Sequence, residues 1–141
     1  MSIKRYYRGM PSLDLTSLRS ALEQLQKGIS EADANPTNEL IRDGVIQRFE
    51  YSHELALKFI KRVLETRHGD PVDQMSFNEL LRTAGERGYI TNVESWFDYR
   101  KARNQTSHTY NGSVATLVFS VAKPFLLNAR SLLSHLEALR D

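Results

Sequence analysis

The run Arg103-Asn104-Gln105-Thr106-Ser107-His108-Thr109-Tyr110 gathers a guanidinium, amides, three hydroxyl residues, an imidazole and a phenol, with no aliphatic side chain among them. A guanidinium holds a phosphate through paired N–H donors, and an imidazole gives or takes a proton near neutral pH. Arg103 and His108 are therefore a minimal kit for cleaving RNA through its 2′-hydroxyl without a metal, and the same kit can simply bind a nucleotide. Tyr110, two residues past the imidazole, can serve as an exposed acceptor for a covalent nucleotide or as a hydrogen-bonding prop for His108. A plainer use competes with both: Asn104 and His108 can cap a helix end while Arg103 makes a surface ion pair.

Helix geometry limits how these groups combine. At about 100° per residue, Asn104 and His108 share a face, whereas Arg103 and His108 diverge by roughly 140°. Arg103 and His108 meet on one ligand only if the helix ends near His108 or if two chains each contribute. Other catalytic templates fit worse, because the sequence has no G-x-x-x-x-G-K loop, no G-x-S-x-G elbow and no H-E-x-x-H pair. Glu50 and Glu54 resemble half of a bundle carboxylate site. With His53 and Lys58 they are expected on a solvated polar side of their helix, in ion pairs with Lys58 and Arg48, holding no metal.

The chain of 141 residues, 40% apolar, has room for one domain spanning 1–141 and one core. It contains no cysteine, which removes thiol nucleophiles, disulfides and cysteine-ligated metal sites and suits a reducing cytoplasm. No uninterrupted apolar run approaches the roughly 20 residues of a membrane span, and the N-terminus lacks the apolar core of a signal peptide, so a cytosolic protein without a membrane partner is expected. A net charge of +2 permits a phosphate-bearing partner without demanding one.

The elements that must position the polar run are helices. Met1–Met10 sets Lys4, Arg5 and Arg8 around Tyr6 and Tyr7, a tract that can lie along a nucleic acid or fray as a terminus. Leu15, Leu18, Leu22, Leu25 and Ile29 then step by 3 and 4, which predicts helix one over about 12–32. Asn35-Pro36-Thr37-Asn38 is a turn with Asn38 as a cap, so helix two, about 38–67, runs back antiparallel. Its main stripe is Ile41, Val45, Phe49, Ala56, Phe59, Ile60 and Val63; Gly44 marks either a close approach or a tolerated cost. Gly69 and Pro71 end it. A Ser76/Glu79 capping box starts a brief helix three with Leu80, Leu81 and Ala84 inward, and Gly88 ends it. Asn92 can cap helix four, which turns Val93, Trp96 and Phe97 inward and ends in the polar run. Asn111-Gly112-Ser113 opens helix five, with Val114, Leu117, Val118, Val121, Phe125, Leu132, Leu133, Leu136 and Leu139 buried and a bend at Pro124. The expected fold is all-α, an up-and-down antiparallel bundle of four long helices and one short one.

On these residues the chain resembles a known family. Arg103-x4-His108-x-Tyr110 looks like the signature of HEPN proteins, the higher eukaryote and prokaryote nucleotide-binding domains, in the branch found with minimal nucleotidyltransferases. Ile41 to Glu50 and Ser107 to Asn111 look like its nucleotidyltransferase substrate-binding subfamily, and the resemblance runs from helix one to helix five. It implies a homodimer whose paired Arg-His motifs face one cleft, and a separately encoded minimal nucleotidyltransferase as partner. In related toxin-antitoxin pairs the HEPN protein is a metal-independent ribonuclease, needing no cofactor, which the transferase silences by adding AMP to the motif tyrosine. Carried over, Arg103 orients the RNA phosphate, Asn104 supports it, His108 is the general acid or base, and Tyr110 is the modification site. The subfamily was named for an accessory role, so two readings stand beside the ribonuclease: a noncatalytic subunit that binds nucleotide or substrate for the transferase, and a purely structural dimer.

Overall fold

The computed structural model describes residues 13–139, so the basic-aromatic tract Met1–Met10 and the start of helix one at Ser12 lie outside the described residues. The fold is all-α; among the described residues there are five helical rods, the last interrupted once. They are α1 (Thr16–Ala34), α2 (Glu39–His68), α3 (Phe77–Glu86), α4 (Val93–Asn104), and the two pieces of the last rod, α5 (Gly112–Ser120) and α6 (Ala122–Glu137).

The α1/α2 hairpin forms as the leucine spacing dictates, with Leu15, Leu18, Leu22, Leu25 and Ile29 buried. Its antiparallel register is fixed by side chains: Arg48 Nη1 donates to Gln24 O at 2.6 Å and Ser52 Oγ to Ala21 O at 3.4 Å. The helices also approach closely at Gly28, where an added Cβ would stand 3.3 Å from Val45 Cγ2 and from Arg48 Cδ. Gly44 faces open space, which settles its two readings in favour of a tolerated cost of about 1 kcal/mol. The Asn38 cap forms, its side chain accepting from Ile41 N at 3.1 Å. At the other end of α2, Gly69 adopts φ 69° and lets its N–H close on Glu65 O, a left-handed cap that a Cβ would strain.

The α3/α4 hairpin is pinned to the end of α2. Ser76 Oγ accepts from Glu79 N at 3.1 Å, Arg87 forks onto both Asp70 carboxylate oxygens, and His68 shares a 2.7 Å hydrogen bond with Tyr89. Leu80, Leu81 and Ala84 are buried as the spacing predicts. Asn92 occupies the N-cap of α4 but its side chain accepts no capping bond; Trp96 N reaches its backbone carbonyl instead.

In the last rod, Pro124 is the third residue of α6, a position whose N–H has no intrahelical partner in any helix. The rod therefore does not bend through an intact ladder: it stops at Ser120 and restarts at Ala122, with Phe125 N on Val121 O at 2.9 Å. Ion pairs Arg19–Glu137 and Asp33–Lys123 lay α6 antiparallel along α1. The span Gly112–Glu137 is long and apolar enough to cross a membrane by length and composition, but its buried residues Ala115, Val118, Phe125 and Leu132 belong to the bundle core.

Phe125 is the hub of that core. Its ring meets Phe49 of α2 at 5.1 Å, and Trp96 and Tyr99 of α4 at 5.8 and 5.4 Å, all edge-to-face. This aromatic cluster holds α4, and so the polar run at its end, against α2. Leu117 departs from the expected burial and is 63% exposed, because Ala115, Val118 and Ala122 take the inward face of that rod.

Candidate functional site

α4 ends at Asn104, where its carbonyls run out of helical partners, and hydroxyls shape the turn beyond it. Thr106 Oγ1 donates to Arg103 O at 2.8 Å and Thr109 Oγ1 to Thr106 O at 3.2 Å, around a 3-10 turn over Thr106–His108. His108 N on Gln105 O and Asn111 N on His108 O complete the reversal. Asn111 then caps α5, accepting from Ser113 N at 2.9 Å and Val114 N at 3.4 Å. Thr106 thus does the capping at the end of α4 that Asn104 and His108 were candidates for. Among the described residues, neither the Asn104 amide nor the His108 ring makes a hydrogen bond.

The four motif residues do not all converge within one chain. Arg103 points to α2, where its Nη2 pairs with Glu54 and lies 3.8 Å from Glu50 Oε1. The two carboxylates were expected to pair with Lys58 and Arg48; Arg103, 49 residues away from Glu54, outcompetes them because the aromatic cluster brings α4 against α2. His108 is exposed at the end of the turn, its ring edge-on to Tyr110 at 6.2 Å, and Tyr110 is 87% exposed. That geometry leaves the phenol open to solvent rather than bonded to the imidazole.

Arg103 and Asn104 form one end of a cleft of about 560 Å³ between α2 and α4. Its walls carry Lys58, Lys61 and Arg62 from α2, Arg100 from α4 and Phe77 from the start of α3; His108 is not among them. The Arg100 guanidinium stacks 3.5 Å from the Phe77 ring centre.

His53 also lines this cleft, and it corrects the expected solvated side of α2. It is 3% exposed, between the Phe49 and Phe125 rings at 6.0 Å from each, with no hydrogen-bond partner for either ring nitrogen. Burial first, then the Arg103 and Arg100 charges, push its pKa down to about 4, so it is neutral at physiological pH. Its spacing was the available signal: Phe49, His53, Ala56 and Ile60 step by 4, 3 and 4 along the apolar stripe. Glu-x-x-His spacing occurs at Glu50/His53 and Glu65/His68, yet both histidines are committed elsewhere, to the core and to Tyr89. No group of three or more metal-ligating side chains gathers among the described residues.

The model of a family described as nucleotidyltransferase substrate binding protein like matches residues 13–138, the whole bundle. The chain belongs to this family. It is 38% identical over 95 residues to the probable ribonuclease HepT of Haemophilus influenzae, a match covering 66% of this chain and 65% of that protein, a little under two thirds of the relative's length. A solved Haemophilus influenzae structure, reported as the fold of a substrate binding domain of a nucleotidyltransferase, superposes with a TM-score of 0.82 at 30% identity, over 88% of this chain and 99% of that one. A crystal structure from Thermus thermophilus superposes at 0.74 with 26% identity, over 84% and 98%. These two structures thus share the helical scaffold that carries the Arg103-to-Tyr110 run in this chain.

Proposed function

We propose that this chain is a metal-independent endoribonuclease of the HEPN type, a toxin-antitoxin component working in a reducing cytoplasm and silenced by a separately encoded minimal nucleotidyltransferase. The observation that carries it is the exposed His108–Tyr110 pair on a capped turn directly after the helix that bears Arg103. The similarity to a protein named as a probable ribonuclease supports the same reading.

His108, free in solvent, takes the proton from a ribose 2′-hydroxyl as its oxygen attacks the adjacent phosphorus, and a proton is returned to the departing 5′-oxygen. Arg103 neutralises the charge gathering on the phosphate oxygens, with Asn104 beside it. Because Arg103 faces the cleft and His108 does not, the two act together across a homodimer, one motif completing the other. Tyr110 carries the control: its phenol oxygen attacks the α-phosphorus of ATP in the transferase, pyrophosphate leaves, and the tethered AMP blocks the site. The 87% exposure of Tyr110 fits access by a second enzyme.

One observation favours a second reading. The pairing of Arg103 with Glu54 and Glu50, on a cleft that excludes His108, suits a noncatalytic subunit that binds nucleotide or substrate for the transferase. RNA cleavage by the purified protein in EDTA, wild type beside His108→Ala with both shown to be folded, separates the two. Cleavage lost in the mutant is the expected outcome; equal cleavage removes His108 from the mechanism, and an inactive wild type whose Tyr110 mass is unmodified favours the accessory subunit.

A further inference from the structure

The cleft between α2 and α4 has an unbalanced charge inventory. Five cationic side chains line it, Lys58, Lys61, Arg62, Arg100 and Arg103, against three carboxylates, Glu54, Glu65 and Asp73. Glu54 is spent on Arg103. Among the described residues, Lys58, Lys61, Arg62 and Arg100 form no ion pair, as is also true of Lys27, Arg48, Arg67, Arg82, Lys101 and Arg130 outside the cleft; what sets the four apart is that they line one cleft together. The Arg100 guanidinium lies 3.5 Å from the Phe77 ring centre, and burial first, then the Arg103 charge, lower its pKa.

The inner wall adds a second, independent signal. His53 is buried and lines the cleft, with Nδ1 and Nε2 both unpaired. Buried polar atoms are nearly always satisfied, and a neutral imidazole left bare beside a cavity is a group waiting for a partner. A cavity of about 560 Å³ lies within the usual range of ligand sites.

We propose that this cleft is a second phosphate-binding subsite, which holds a flanking nucleotide of single-stranded RNA beside the Arg103 motif. Lys58, Lys61 and Arg62 of α2 line the phosphate path, Arg100 beside Phe77 offers a cation for a base to stack on, and His53, whose ring nitrogens lie covered just behind the inner wall, supplies a neutral hydrogen bond once the side chains over them give way. The choice of RNA as ligand rests on the ribonuclease reading; the site itself rests on the cleft.

The test is binding, measured apart from cleavage. A fluorescein-labelled single-stranded RNA octamer with 2′-O-methyl riboses, which cannot be cut, is titrated by anisotropy against the full chain at several salt concentrations, with AMP as a competitor. Variants are Lys58→Gln/Lys61→Gln, His53→Phe, which keeps an aromatic ring in the core, and His108→Ala. The lysine pair should weaken binding about tenfold or more and flatten the log–log salt slope by about 1.4, the value for two fewer neutralised phosphates on a single strand. His53→Phe should weaken binding at an unchanged slope without loss of thermal stability. Full affinity and slope in the lysine variant overturn the subsite, and full affinity in His53→Phe removes His53 from it. AMP binding without octamer binding overturns the RNA assignment in favour of a free nucleotide. Loss of the nucleotidyltransferase, rather than of RNA, in the lysine variant overturns it in favour of an acidic protein surface. Octamer binding with wild-type and His108→Ala proteins equally unable to cut a cleavable RNA upholds the subsite while ending the ribonuclease reading.

Discussion

His53 and His108 are the same side chain in opposite surroundings. His53 is walled in by Phe49 and Phe125 with both nitrogens bare, while His108 stands in solvent on a turn stitched by Thr106 and Thr109. A buried imidazole whose pKa falls to about 4 cannot exchange protons near neutrality. The aromatic core therefore fixes geometry, and on the proposed reading the chemistry falls to the turn. Variants that act on one region without the other sharpen this division.

The largest effect belongs to the core. Phe125→Ala removes the ring that joins Phe49, Trp96 and Tyr99, and should cost about 3–5 kcal/mol in urea unfolding. His108→Ala is its counterpart on the turn: RNA cleavage should fall at least about a hundredfold with the unfolding midpoint unchanged. A midpoint that dropped with His108→Ala would mean that the turn is structural after all.

The comparison also predicts a pH dependence. The folded pKa of His53 is depressed from 6.5 to about 4, so between those values the unfolded chain binds a proton that the folded chain refuses. Stability from this group is complete above about pH 6.5 and is lost as pH falls towards about 4, on the order of 3 kcal/mol across the window. Urea midpoints measured from pH 7 to pH 4 should slope downward in wild type and lose most of that slope in His53→Phe. An unchanged slope would assign acid sensitivity to other groups.

How far these regions were legible in the sequence depended on residue type. The leucine ladder of α1, the Asn38 and Asn111 caps, the serine half of the Ser76/Glu79 box and the Gly69 stop form as their spacing dictates, because each is a local rule; the Glu79 carboxylate does not return the bond. The polar run was legible for the opposite reason: nothing in it suits a core. His53 was misread because a titratable side chain suggests solvent, although its position falls on the apolar stripe. The last rod was partly misread for a related reason: its buried line runs through Ala115, Val118, Ala122, Phe125, Ala129, Leu132 and Leu136, and the alanines carry little hydrophobic signal. Arg103 finding Glu54 was beyond reach, since partners on different helices are known only once the aromatic cluster has set α4 on α2.

Smaller effects arise at the joints between the regions. Gly85→Ala puts a methyl 2.5 Å from Val93 Cγ2, where α3 meets α4, and should cost about 1–3 kcal/mol while leaving α1 and α2 untouched. Hydrogen exchange would then speed up in the α3/α4 hairpin first.

Glu54→Gln is the smallest change in stability and the most informative about the link between core and turn. The Glu54 and Arg103 side chains are 55% and 32% exposed, so water already screens the pair and its loss should shift unfolding by less than about 1 kcal/mol. Its effect on binding should exceed its effect on folding, because the carboxylate competes with any phosphate for the same guanidinium. Freed of Glu54, Arg103 retains only the longer contact to Glu50, and affinity for the uncleavable octamer should rise several-fold, with a steeper salt dependence. If affinity falls instead, Glu54 is holding Arg103 in its working orientation rather than occupying it, and the pair belongs with the core as a positioning device.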